Sequence, residues 1–255
     1  MIIQADNISK VYTLERGILG SKKITIQAID KVSFIVKEFT TLGIVGESGS
    51  GKTTLAKIIA RLLEPTSGCI KVNPVYIQDF RKDVQIIFQN PLSSLNPKMR
   101  VCDTLREPLL IHRLVKRNEE EEKVLELLKL VGLENNLFYR YPHQLSGGQR
   151  QRVCIARALA VEPKVLILDE PISSLDLTVQ VKMLDLFVQL KEKLRLTYLF
   201  ISHNLAVIKY VADSVIVMKE GRIVEEGNLK DIFEHPQETY TKNLIACAGC
   251  KELMK

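Results

Sequence analysis

Gly46-Glu47-Ser48-Gly49-Ser50-Gly51-Lys52-Thr53 lies between a short apolar run, Leu42 to Val45, and a helix-forming segment, Lys52 to Leu63. A strand, a glycine-rich turn and a helix in that order put bare backbone N–H groups at a helix N-terminus, where the helix dipole favours an anion. The pattern G-x-x-x-x-G-K-S/T makes that anion a phosphate chain. Its glycines let the amides close on α- and β-phosphates, Lys52 reaches the β/γ oxygens, and Thr53 can ligate Mg²⁺. A chance glycine-rich turn would lack the flanking strand and helix.

Further along, Leu145-Ser146-Gly147-Gly148-Gln149 puts Ser146 at an N-cap with two glycines behind it, and a helix of about Gln149 to Val161 follows. This is a second phosphate-facing helix start, whereas one nucleotide needs one phosphate cradle. An ordinary capped helix accounts for Ser146 and leaves the two glycines unexplained. Val165-Leu166-Ile167-Leu168 is a continuous apolar run ending in Asp169-Glu170-Pro171. It suits a buried parallel strand presenting two carboxylates at its C-terminal edge, the edge at which open α/β sheets bind ligands.

On these residues the chain resembles the ATP-binding-cassette family. The resemblance implies that Leu145 to Gln149 complete the ATP site of the opposite protomer, so that a head-to-tail dimer holds two ATPs. It implies nucleotide contacts from Gly46, Glu47, Ser48, Gly49, Ser50, Gly51, Lys52, Thr53 and Thr54 on one protomer and from Ser146, Gly147, Gly148 and Gln149 on the other. Asp169 would hold the Mg²⁺ shell with Thr53 and Gln89, and Glu170 would polarise the attacking water. Gln89, ending the run Val84 to Phe88, would sense metal and water and link to a helical subdomain. His203, after the strand Leu199 to Ser202, would contact the γ-phosphate. Lys52, Gln89, Glu170 and His203 are thus the implied catalytic set, Tyr12 the implied adenine platform, and Ser174-Leu175-Asp176 the implied route of communication between protomers. Phosphoryl transfer to water needs mainly positioning and charge neutralisation, which such a set supplies.

The expected fold is α/β: a P-loop, RecA-like core with a mainly parallel sheet, an antiparallel β subdomain and an inserted helical subdomain. A single domain, 1–255, is expected. Its core with the antiparallel subdomain covers 1–89 and 158–235, its helical part 90–157, and its C-terminal tail 236–255. Strand-like segments at Ile2 to Ala5 and Ile24 to Val36, joined by a polar loop Glu15 to Lys23, give the antiparallel part. From Leu42 onward strands alternate with helices, as parallel sheets require. In the charge-rich stretch Asn118 to Val131, Val124, Leu127, Leu128 and Val131 keep helical spacing. After His203 come a helix, Leu205 to Ala212, a hairpin at Glu220-Gly221 and a short helical tail.

The net charge is +6 over 255 residues, but the basic residues are spread without aromatic interleaving, which argues for a solvated surface and against nucleic acid. No stretch approaches ~20 uninterrupted apolar residues and no signal-peptide pattern opens the chain. Placement at the cytoplasmic face of a membrane, through partners, is therefore expected. Five cysteines are present. They are expected to be reduced, with Cys69, Cys102 and Cys154 buried or half-buried. Cys247-Ala248-Gly249-Cys250 has the spacing of half a metal site and is expected to be a reduced thiol pair.

Gln89-Asn90-Pro91-Leu92-Ser93-Ser94-Leu95-Asn96-Pro97 resembles the stretch after the sensor glutamine in oligopeptide, dipeptide and nickel importer ATPases. Tyr141-Pro142-His143, Asp176-Leu177-Thr178-Val179-Gln180 and Arg222-Ile223-Val224-Glu225-Glu226-Gly227 agree with that branch, and the loop between Tyr12 and Ala28 is similar to that of the second ATPase of such importers. The resemblance implies two integral-membrane permease subunits, a second ATP-binding subunit (a paralogue or a copy of this chain) and, indirectly, a solute-binding protein. Di- or oligopeptides, nickel and other metal chelates stay open as solutes. An exporter ATPase, or a soluble cassette acting on nucleic acid or ribosomes, are the other readings. Phe39-Thr40 stands where the family has Gly-Glu, Asn204 where it has Asp, and Pro236 to Thr241 matches its His-Pro-Tyr-Thr tail only in part.

Overall fold

The computed structural model describes residues 1–16 and 22–247. The described chain forms two compact units, one of Met1–Tyr76 with the chain from Leu199 onward, the other of Ile77–Tyr198.

The first unit opens with two long strands, β1 (Ile3–Arg16) and β2 (Lys22–Val36), followed by β3 (Thr41–Val45), α1 (Lys52–Ile59) and β4 (Ser67–Val72). β1 is the centre of an antiparallel sheet of order β2-β1-β4. Ile3, Ala5 and Ile8 on β1, with Ile29, Val32, Phe34 and Val36 on β2, bury one face. Of the loop expected over Glu15 to Lys23, Glu15, Arg16, Lys22 and Lys23 are in the ladder instead, since pairing runs from Ile3↔Val36 out to Arg16↔Lys22. β-Branched residues on both arms, Val11 and Thr13 against Ile24, Thr25 and Ile26, suit a pleated surface and carry the ladder outward. Residues 17–21 lie outside the described residues. α1 stops at Ile59, short of the expected Leu63: Arg61 turns left-handed at φ 55°, and Leu62 N–H and Arg61 N–H donate to the carbonyls of Lys57 and Ile58. That is a Schellman closure.

The second unit holds α2 (Phe80–Asp83), β5 (Val84–Ile87), α3 (Pro91–Ser94), α4 (Val101–Ile111) and α5 (Glu120–Leu130). Then come α6 (Gly147–Leu159), β6 (Val165–Asp169) and α7 (Leu177–Leu194), and β7 (Thr197–Ser202) begins in this unit. β5 and β6 pair in parallel from Val84↔Val165 to Ile87↔Leu168. Every residue of β6 is buried, as its unbroken apolar run requires. Val124, Leu127, Leu128 and Val131 are all buried, and α6 packs on α3, α4 and α5. Arg152 on α6 donates to the Val131 carbonyl, a cation at the C-terminal end of α5.

After β7 the chain returns to the first unit with α8 (Leu205–Val211), β8 (Ser214–Lys219), β9 (Arg222–Asn228), α9 (Leu229–Glu234) and α10 (Thr239–Cys247). β3 runs parallel to β8, and β8 and β9 form a hairpin. Its two-residue turn has positive φ at both Glu220 (48°) and Gly221 (79°), the geometry that matches strand twist. The start of α10 is held by Glu225 on β9, which accepts the backbone amides of Gln237 (2.7 Å) and Glu238 (3.2 Å). Partial burial raises that carboxyl, but the hydrogen bonds from Thr241 and these two amides, with Lys242 nearby, outweigh it and hold it below its ordinary value.

Cys102 and Cys154 are buried as expected, and burial pushes the Cys154 thiol up to about 11. Cys69 is exposed, a correction that follows from its place on β4, whose first three residues all face solvent. Cys247 is exposed on α10, and Cys250 lies outside the described residues.

Phe39, in the family's glycine position, adopts φ 58° in the turn between β2 and β3, with Thr40 Oγ1 donating to the Lys37 carbonyl at 2.9 Å. A bulky side chain there costs roughly 1–2 kcal/mol. Glycine removes that cost and adds about 0.5–1 kcal/mol of unfolded-chain entropy. Phe39→Gly is expected to raise unfolding stability by up to about 1.5 kcal/mol. Phe39→Val should lower it, because a β-branched residue fits the left-handed region worst. Denaturant titration of the three proteins checks the order Gly, Phe, Val.

Candidate functional site

The phosphate loop is built by close approach. Gly46 has φ 154°, and a Cβ there would sit 2.2 Å from the Met218 carbonyl oxygen on β8. No side chain fits that contact. The loop is also tied to the β8–β9 turn: Gly221 N–H donates to the Ser50 carbonyl at 3.1 Å, while the Gly221 carbonyl accepts the Asp30 amide at 2.9 Å. Lys52 opens α1 and is 5% exposed. Its ammonium donates to the carbonyls of Gly46 and Glu47, both at 2.7 Å, and to Ser50 Oγ at 3.3 Å. Acceptors on this scale offset the cost of burying a cation. The Gly51 N-cap makes no side-chain hydrogen bond to α1, and a Cβ on Gly49 would meet nothing within 4 Å. The helix start is open to an anion from outside, with Glu47, Ser48, Gly49 and Thr53 exposed and Thr54 half-buried. A nucleotide phosphate chain fits this donor set.

Tyr12 is 36% exposed on β1, and Lys10 Nζ lies 5.5 Å from its ring centroid. Tyr240 was not placed at the site by sequence reasoning, yet its hydroxyl accepts the Glu47 amide at 3.2 Å. Nothing in a local pattern reports a contact between residues this far apart in the chain. His203 is exposed just beyond β7. Asn204 caps α8, accepting the Ala206 amide at 2.9 Å, so the residue that departs from the family pattern keeps a cap that Asp would also provide.

In the other unit Asp169 ends β6 at 3% exposure and Glu170 follows with φ 48°. The left-handed backbone swings Glu170 out of the strand. Its carbonyl accepts Ser173 N–H (3.3 Å) and Ser173 Oγ–H (3.1 Å). Its carboxylate accepts Gln89 Nε2–H at 3.1 Å. Two residues of the expected catalytic set thus touch.

Ser146 caps α6 in a reciprocal box, accepting the Gln149 amide at 3.2 Å and donating its own N–H to Gln149 Oε1 at 2.9 Å. The two glycines behind it also have a packing reason. A Cβ on Gly147 would lie 3.4 Å from Leu175, and one on Gly148 would lie 2.8 Å from Val179 Cγ1. The start of α6 therefore sits against the Ser174-Leu175-Asp176 loop and the first turn of α7, where Asp176 accepts the Val179 amide at 3.0 Å. Arg150 braces the approach by donating to the Leu145 carbonyl at 2.7 Å.

The sequence model of the ABC transporter family matches residues 29–173. The di/tripeptide transport ATP-binding protein DppF of Pseudomonas aeruginosa is 42% identical over 253 residues, covering 96% of this chain and 78% of that one. The oligopeptide transport ATP-binding protein OppF of Streptococcus mutans is 44% identical over 254 residues, 96% of this chain and 80% of that one. Among solved structures, the dimeric, post-hydrolysis ATP-binding cassette MJ0796 bound to ADP and Pi aligns with a TM-score of 0.75 and 30% identity, covering 89% of this chain and 99% of that one.

Gly148→Ala is expected to destabilise the protein by about 1–3 kcal/mol through overpacking. Val179→Ala in the same chain should recover part of that loss, because it removes the opposing methyl. A double-mutant cycle from thermal unfolding checks the coupling.

Proposed function

Because the chain belongs to the ABC transporter family, we propose that it is the ATP-hydrolysing subunit of a membrane importer that takes up di- or oligopeptides. The observation that carries this reading is identity above 40%, along nearly the whole chain, to ATP-binding proteins named for peptide transport. Two integral-membrane permeases would receive the stroke through the helical stretch 90–157, with a solute-binding protein delivering the peptide. A second ATP-binding subunit would complete each nucleotide site with its own Ser146 loop. Among the described residues no helix is long and apolar enough to cross a membrane, in keeping with a subunit held there by partners.

In this reading Lys52 and the amides of Gly46 to Thr54 bind and neutralise the phosphates, and Tyr12 stacks on the adenine. Thr53, Asp169 and Gln89 would hold Mg²⁺, which would supply charge neutralisation for the phosphates. Glu170, oriented by Gln89, takes a proton from water as that water's oxygen bonds to the γ-phosphorus. The bond to the β-phosphate oxygen breaks and leaves ADP and phosphate. His203 contacts the γ-phosphate. ATP closes the dimer and hydrolysis reopens it.

Glu170→Gln separates binding from chemistry. It keeps size and removes the charge, so hydrolysis should fall ~10²–10⁴-fold while the phosphate contacts stay intact. The mutant should retain ATP and accumulate as a closed dimer, read as an ATP-dependent doubling of mass in light scattering. Near wild-type turnover would remove Glu170 from the catalytic role.

The importer assignment is tested by purifying the tagged chain from native membranes. A second ATP-binding protein and two permeases are the expected companions. A soluble nucleoprotein companion in their place would overturn it.

A further inference from the structure

The peptide unit joining Gly46 to Glu47 is gripped at both ends. Its carbonyl accepts the Lys52 ammonium at 2.7 Å, and its N–H donates to the Tyr240 hydroxyl at 3.2 Å. The next carbonyl, that of Glu47, accepts Lys52 as well, at 2.7 Å, and also the Ser50 amide at 3.2 Å. The two carbonyls that hold the ammonium therefore flank the single N–H that Tyr240 receives.

Tyr240 is itself held. Its half-buried ring stands in the first turn of α10, with Lys219 Nζ 5.1 Å from the ring centroid. The same helix start is pinned through Gln237 and Glu238 to the Glu225 carboxylate.

We propose that Tyr240 is a positioning residue for the phosphate loop: its hydroxyl orients the Gly46–Glu47 peptide that seats Lys52, and so couples the C-terminal helix to nucleotide affinity. A peptide whose N–H is engaged is a better acceptor at its carbonyl, since hydrogen bonds in series polarise one another. Fixing the plane of that peptide also removes orientations in which the ammonium is aimed away from an incoming phosphate, a binding cost met in advance. Two other anchors of the loop, the Met218 approach to Gly46 and the Gly221 bond to Ser50, run through backbone and do not involve α10. Tyr240 is a side-chain contact through which α10 reaches the loop, so a change in α10 is felt at Lys52.

This inference rests on the assignment of the Gly46 to Thr53 loop as the ATP site. The test compares wild type, Tyr240→Phe and Lys219→Met, using a fluorescent ATP analogue for Kd, steady-state hydrolysis for KM and kcat, and melting without nucleotide. Loss of one hydroxyl should raise Kd and KM together about 2–10-fold, with kcat within about twofold and the nucleotide-free melting temperature unchanged. Lys219→Met, which loosens the ring but keeps the hydroxyl, should move Kd the same way by less. An unchanged Kd in Tyr240→Phe overturns the proposal, and so does a lowered melting temperature with unchanged Kd, which is the mark of a packing role. If Tyr240→Phe fails to fold, Lys219→Met decides: a raised Kd supports the proposal and an unchanged one overturns it. Failure of wild type to bind the analogue would instead remove the ATP-site assignment itself, so the two failures are distinguishable.

Discussion

A buried ammonium must be surrounded by acceptors, and that requirement organises the phosphate loop. Lys52 cannot sit at 5% exposure without the Gly46 and Glu47 carbonyls turned inward. Gly46 takes its place in that arrangement by passing against the Met218 carbonyl with no side chain in the way. Around this loop stand the pairing of β3 with β8, the β8–β9 turn that closes on Ser50, and α10, whose start is held by Glu225. The cation proposed to meet the nucleotide is thereby held in place by the loop's own carbonyls.

The second unit solves a different problem with similar means. Its carboxylate, Glu170, sits on a backbone at φ 48°, a conformation that costs of order 1–3 kcal/mol for a residue with a side chain. The cost is offset by Ser173, which bonds the Glu170 carbonyl twice, and the carboxylate itself is oriented by Gln89. α6 shows the same economy of space. Ser146 and Gln149 satisfy each other's backbone, while Gly148 clears room for Val179.

Much of this was legible in the sequence wherever function and local structure share a short pattern. The run Val165 to Asp169 announced a strand buried on both sides, the Gly46 to Thr53 loop announced its flanking strand and helix, and Ser146 announced a cap. Contacts across long sequence separations were not legible: Tyr240 on Glu47, or Val179 on Gly148. Local strain was hidden too, because Phe39 in a left-handed turn reads as an unremarkable apolar residue. The outer arms of β1 and β2 were missed because residues such as Glu15, Arg16, Lys22 and Lys23 look like loop by polarity, while the register that pairs them is fixed by the buried residues lower on the ladder.

The Glu220-Gly221 turn has the form of a surface hairpin tip, a kind of place where chains ordinarily accept extra residues. Here both backbone groups of Gly221 are engaged, one with Ser50 and the other with Asp30. The turn is therefore a fixed-length spacer between the antiparallel sheet and the phosphate loop. One inserted residue would carry the Gly221 amide past its acceptor, so a tag, label or grafted segment has no room at this tip despite its outward appearance.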